Sequence, residues 1–445
     1  MPTGTRALAF PAPQPQPLPV KANHHTTPQA IIFNQPAPRP MPSSTIPASS
    51  RQNGGMAEPD RLAALPREVL LRILEVVGAE SKRDLCSVSR LNRHYHAAAD
   101  SVLYKEIQFD KPEHHLRFSQ SLGRRPRRGS LIVGVRLEYP ASHVSHISLD
   151  VPVHGWHHER LDEGVTRTIS AMSNLEMLDI AVPDTLLHGV GSLFNGPFDL
   201  ACLKSCTLFF QCPADAYWDL RENIHIFSHP TLETLVIRRA RLDYRGFDHM
   251  EKPHGTALTK LHLIECDFSD DALGDVLEFP EALREFVMTQ LPEPSPELEE
   301  TSDDFGDYVV ALHSAARSLE TVVIDCAFLG GRRAVRMRDF EKLKTLRVNW
   351  DYQLFGKKSN RARLHSVGLP PELETLEFFN EVGTDDEVLE LLVTAIEAKD
   401  IMARNLESII TVEGDDGPVP KEFVAACKQQ GIKLDIIGGT LTEED

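Results

Sequence analysis

Three imidazoles and a carboxylate fall within His154-Gly-Trp-His157-His158-Glu159, and zinc takes ligands of those types. A zinc site needs three or four ligands converging from fixed positions. No second cluster in the sequence offers the complement, so the segment reads as a solvated loop. Cys202, Cys206 and Cys212 are also close together, but their spacing follows no zinc-binding pattern. Cys206 falls on an inward position of an expected strand, where a thiol packs as a small buried group. The chain contains no G-x-x-x-x-G-K, no G-x-S-x-G, no H-E-x-x-H and no dinucleotide glycine fingerprint. These residues point to a protein that is not an enzyme, with no catalytic residue, no metal and no cofactor.

The elements behind such residues begin near Arg61, where Leu65, Val69, Leu70, Ile73, Leu74 and Val77 recur at helical spacing. Pro66 suits a first turn and Glu68 lies close to it. Ser81 can cap a second helix carrying Leu85, Val88 and Leu91, and a third runs from Arg93 to Leu103 through Tyr95, Ala98 and Ala99. Three short helices make a marginal core, and such a unit leans on a partner or a neighbouring domain.

The rest of the chain repeats the pattern L-x-x-L-x-L. Good copies start at Leu175, Leu232, Leu258, Leu283, Leu319, Leu343, Leu373 and Leu406, with weaker ones at Val144 and Leu203. Each copy supplies one short parallel strand whose first, fourth and sixth residues point inward, so that stacked copies share one core. The expected fold class is therefore α/β, with a helical unit over 58–110 and an irregular strand array over 111–440. An insertion at 291–307, with three prolines and seven acids, is expected to be an exposed loop.

The segment Leu65-Pro66-Arg-Glu68-Val69-Leu70-Leu-Arg-Ile73-Leu74, with Asp84-Leu85-Cys-Ser-Val88-Ser89-Arg-Leu91-Asn-Arg93-His-Tyr95 and Leu103-Tyr104-Lys-Glu-Ile107, resembles an F-box, particularly of fungal proteins. Tyr95 stands where that family more often has Trp or Phe, and Ala98 is smaller than the usual Leu. The later copies resemble the cysteine-containing leucine-rich repeats that often follow F-boxes, best in Leu261-His-Leu263-Ile-Glu-Cys266-Asp-Phe-Ser-Asp270 and partly in Ile324-Asp-Cys326.

The resemblance implies a substrate receptor of a Skp-cullin-F-box ubiquitin ligase, with the repeats forming a solenoid whose parallel strands line a concave face. It also implies that Leu65, Pro66, Val69, Leu70, Ile73, Leu74, Leu85, Val88, Leu91 and Tyr95 divide between a small core and a surface for a Skp-family adaptor, and through it a cullin. Pattern alone does not divide them. Two rivals stand beside this reading: an interaction scaffold acting outside ubiquitin transfer, and an unrecognised hydrolase or metalloenzyme.

In L-x-x-L-x-L the third and fifth residues, and the one after the sixth, project from the open face of the strands. That strip includes Val236, Arg238, Lys260, His262, Ile264, Val287, Val323, Asp325, Arg347 and Phe379. Apolar residues mixed with Arg238, Lys260 and Arg347 suit a target peptide with an apolar anchor and an acidic or phosphorylated neighbour.

Charge is unevenly spread. Residues 1–57 hold four basic residues (Arg6, Lys21, Arg39 and Arg51) and no acid, which leaves 43 of the 47 basic residues against 65 acids, or −22, for the remainder. So acidic a body argues against general nucleic-acid binding. The proline-rich 1–57 has little to bury and is expected to be disordered. No apolar run long enough for a membrane helix and no secretory signal are read in the chain, and the seven scattered cysteines fit reduced thiols. Cytosol or nucleus is the expected compartment.

Overall fold

The computed structural model describes residues 61–62, 64–139, 166, 168–183, 191–194, 200–212, 216–247, 255–291, 298, 301–326, 328–331, 335–349, 357–358, 361–362, 369–413 and 418–438. The extension 1–57, the weak copy at Val144 and the His154–Glu159 cluster lie outside these residues.

Helices α1 (Arg67–Glu80), α2 (Lys82–Val88) and α3 (Arg93–Leu103) form where the periodicity places them. Pro66 occupies the N-cap of α1, Ser81 caps α2 by accepting from the Asp84 amide, and Asn92 caps α3 by accepting from that of Tyr95. Leu70, Leu74, Leu85, Tyr95, Ala98 and Ala99 close a small core, against which Val77, Val88 and Val102 pack. Gly78 permits the close approach of α1 to α2, since a Cβ there would stand 2.9 Å from Leu85 Cδ2.

Among the described residues, twelve strands form one parallel sheet in strict chain order. They are β1 (Glu106–Phe109), β2 (Gly134–Glu138), β3 (Met177–Pro183), β4 (Ser205–Gln211), β5 (Thr234–Arg238) and β6 (Lys260–Ile264). The series continues with β7 (Glu285–Thr289), β8 (Thr321–Asp325), β9 (Thr345–Val348), β10 (Thr375–Glu381), β11 (Ser408–Glu413) and β12 (Lys433–Gly438). The protein is thus α/β with a large parallel sheet. Strand β1 lies within 58–110, so the sheet begins before the helical span ends.

Burial explains the repeat. The first-position residues Leu175, Leu203, Leu232, Leu258, Leu283, Leu319, Leu343, Leu373 and Leu406 are all at most 2 % exposed. Fourth and sixth positions such as Leu235 and Ile237, Leu261 and Leu263, and Leu346 and Val348 are fully buried. Side chains alternate across a strand, so this spacing puts one continuous apolar core on one face of the sheet. The weak copy at Leu203 is a full member, with Cys206 and Leu208 at 0 %. Strand β2 carries the same spacing in Ile132, Val135 and Leu137, a copy without a leading leucine.

One backbone device recurs at the strand starts. The carbonyl of Glu176 accepts from the amides of Lys204 and Ser205, that of Lys204 from Glu233 and Thr234, and that of Glu233 from Thr259 and Lys260. The same twin acceptance continues at Thr259, Arg284, Glu320, Lys344 and Glu374.

Helices α4 (Pro112–Arg124), α5 (Asp270–Leu277), α6 (Phe305–Leu312), α7 (Asp386–Glu397), α8 (Lys399–Met402) and α9 (Lys421–Gln429) fill connections between strands. The expected exposed loop over 291–307 needs correction at its end. Asp304, Phe305 and Gly306 are buried, because Asp304 accepts from the Gly306 amide and caps α6.

Two contacts join the helical unit to the first strands. Lys105 Nζ lies 2.9 Å from Glu75 Oε1, and Arg128 Nη2 lies 3.1 Å from Asp100 Oδ2. The Arg128 guanidinium also sits 4.5 Å from the centre of the Tyr104 ring. Arg128 and Asp100 are mostly buried, so removing either one would leave the other without its partner away from solvent.

Candidate functional site

The structure divides the helical anchors that pattern left together. Leu70, Leu74, Leu85 and Tyr95 belong to the core, and Val88 is half-buried against it. Leu65, Val69 and Ile73 remain 36 %, 44 % and 37 % exposed, Pro66 is exposed, and Leu91 reaches 69 %. Leu62 (43 %) and Val76 (55 %) join them, although neither was among the predicted site residues.

Their signal was in the sequence. Residues 62, 65, 69, 73 and 76 recur every three or four positions, beside a second row at 70, 74 and 77 that turns inward. The turn before α1, closed by the Leu65 amide on the Leu62 carbonyl, carries the outer row past the helix start. The result is an apolar stripe on a unit whose own core is already closed. Among exposed apolar residues, single ones need no explanation, whereas a row of five is a candidate interaction surface.

The second candidate is the open face of the sheet. Register places Thr207, Val236, His262, Val287, Val323, Arg347 and Glu377 side by side across β4 to β10. A neighbouring row carries Phe209, Arg238 and Ile264. Arg238 and Lys260 are exposed, and Val236, His262, Ile264, Val287, Asp325, Arg347 and Phe379 are half-buried. Val323, flanked in register by Val287 and Arg347, is only 6 % exposed and offers little surface of its own.

Charges on this face are largely answered within it. Lys260 Nζ and His262 Nε2 approach the two oxygens of Glu285 at 2.8 and 2.9 Å. Their hydrogen bonds, that of Lys260 foremost, hold the Glu285 carboxyl below its ordinary range. Arg347 pairs with Glu377 one strand over, while lying 5.2 Å from the centre of the Phe379 ring. Arg238 differs: it lies 5.6 Å from the centre of the Phe209 ring and has no carboxylate partner among the described residues. Burial pushes the Asp325 carboxyl up, with Asn349 and Arg347 pulling the other way.

A cleft of about 410 Å³ opens where Lys82 at the start of α2 meets the open face of the first strands, beside Glu106, Arg136, Met177, Asp179 and Thr207. Gly134 contributes to it by leaving a gap in its row, where a Cβ would come within 3.2 Å of Met177 Cε.

The thiols belong to the packing. Cys206 and Cys326 are buried and desolvation raises both, while burial pushes Cys266 up to about 12. Among the described residues no group of three or more His, Cys, Asp and Glu side chains is arranged to hold a metal. No described helix is long and apolar enough to cross a membrane. In comparisons with known proteins, no family model and no curated protein gives a significant match to this chain.

Proposed function

We propose that the protein is the substrate-recognition adaptor of a Skp-cullin-F-box ubiquitin ligase. In this reading α1 to α3 act as an F-box on a Skp-family adaptor, and through it a cullin, while the strand array acts as a leucine-rich-repeat solenoid that holds a target protein.

The observation that carries the reading is the exposed row Leu62, Leu65, Val69, Ile73 and Val76 on a helical unit with a closed core of its own. An apolar helix face of this kind is what a helix-in-groove partner takes up. The mostly buried Arg128–Asp100 pair supports it further, since an adaptor works by holding two proteins at a fixed separation. The ligase core supplies the ubiquitin-transfer chemistry, and no residue of this chain is catalytic.

In this reading the target binds the open sheet face. Arg238 is the position for an acidic or phosphorylated group, because Lys260, His262 and Arg347 already have carboxylates beside them. Val236, Ile264 and Val287 supply the apolar anchor next to it. The test is co-purification of the folded full-length chain with a Skp-family adaptor and a cullin. The reading expects their recovery with wild type and their loss with Val69→Asp, whereas equal recovery with both removes it.

A further inference from the structure

The sheet ends differently on its two sides. Strand β1 has four residues and lies beside the helical unit through Lys105 and Glu75, whereas β12 has six and, among the described residues, pairs only with β11. Elsewhere the sixth-position residues are shut in the core, but Ile436 in β12 is 44 % exposed. Ile437 is 53 % exposed, and Val424 of the adjacent α9 is 37 % exposed. An apolar strand of this length with a free edge is open to pairing with another strand.

We infer that the free edge of β12 pairs with β12 of a second copy of this chain, antiparallel about a two-fold axis. The Lys433 amide donates to the Glu407 carbonyl just before β11, so in this parallel pair the odd residues are turned toward β11. Leu434, Ile436 and Gly438 hold their N–H and C=O groups toward the open edge. Two-fold pairing must match those groups to each other, which leaves four registers that pair more than one residue of each strand, and the one centred on Ile437 brings no charged residues of the strand together.

Centred on Asp435, the register sets Asp435 against Asp435 of the second copy, a like-charge pair that opposes association. Centred on Ile436, it sets Asp435 against Ile437 and leaves Lys433 beyond the strand. Centred on Leu434, it sets Lys433 against Asp435 twice and Leu434 against Leu434, and it ends there, because Ile432 is buried and gives its amide to the Cys427 carbonyl. Only this last register matches opposite charges on one face and apolar residues on the other. Lys433 and Asp435 now face each other within one chain at 2.7 Å, with side chains 73 % and 43 % exposed. So exposed a pair is weak, and exchanging it for a partner in the second copy costs little.

Light scattering on the full-length chain at rising micromolar concentration tests the inference without any ligase component. The mass should climb from one chain toward two. Lys433→Asp and Asp435→Lys should each weaken association about tenfold, because both pairs become repulsive. Mixing the two variants in equal amounts should restore it, since an all-acidic strand then faces an all-basic one. Circular dichroism establishes that each variant is folded. A wild type that stays monomeric throughout overturns the inference. So does a dimer indifferent to Lys433→Asp, or a mixture that associates no better than either variant alone.

Discussion

Replacing Val69 by Asp and, separately, the adjacent Leu70 by Ala separates docking from folding on one turn of α1. Val69 is 44 % exposed, and Leu70 is at 0 % within a cluster of six buried residues. Burying a Val, Leu or Ile side chain completely is worth about 1.5–3 kcal/mol. The five residues of the exposed row still have between 36 % and 55 % of their surface to cover, so docking has about 3–6 kcal/mol left to gain from them. A carboxylate at position 69 forfeits its share and must also be desolvated, for a loss of at least about 2 kcal/mol, or about thirtyfold in affinity. In the free protein the same change should stay within about 0.5 kcal/mol, helped by its place in the first turn of a helix.

Leu70→Ala should behave in the opposite way, costing about 2–5 kcal/mol of stability in the helical unit. Titration calorimetry with a Skp-family adaptor and thermal melting of both variants measure the two quantities. Unchanged affinity of Val69→Asp would show that the exposed row is not the docking surface. A Val69→Asp chain melting as low as Leu70→Ala would show that the assignment of inner and outer faces is wrong.

On the sheet face, Arg238→Glu should reduce target capture in affinity purification more than Arg347→Glu, because Arg347 already has Glu377 beside it; equal losses would contradict the assignment. Glu285 is held below its ordinary value of 4.5, so its contribution is complete above that pH and is lost as pH falls through the lowered native value. The melting temperature of wild type should therefore exceed that of Glu285→Gln at neutral pH and converge with it in acid. Asp325 has the opposite sign, since burial raises it from 3.8: Asp325→Asn should melt higher than wild type at neutral pH, with the gap closing as pH falls through the raised native value. At Gly129 an added Cβ would stand 2.3 Å from the Ala171 carbonyl oxygen, a backbone atom, so Gly129→Ala should cost about 1–3 kcal/mol in denaturant titration.

The strand array was legible because its signal is one of spacing. Leucines at the first, fourth and sixth positions have a single arrangement in which all are buried, and the structure uses it from Leu175 to Leu406. Strands β1 and β2 do not show in that pattern because Tyr104, Ile107 and Phe109, and Ile132, Val135 and Leu137, keep the spacing with no leucine at the first or fourth position. The α1 anchors could not be sorted by type, since Val69 and Leu70 are equally apolar and only the positions of α2 and α3 decide which row is covered. Likewise, composition could mark Arg238, Lys260 and Arg347 as a basic strip, yet register alone sets Glu285 and Glu377 beside two of them.

The twin hydrogen bonds at the strand starts have a consequence for how damage spreads. Each strand is laddered only to its neighbours in the chain, with one carbonyl taking two amides at most strand starts, and among the described residues none pairs with a strand distant in the chain. Opening at β12 can therefore run inward one strand at a time, while the middle strands wait for both neighbours to go. Amide hydrogen exchange should rise toward the free end as a gradient rather than as one cooperative step. The chain can accordingly lose or gain a strand unit near that end and keep its helical unit and first strands intact.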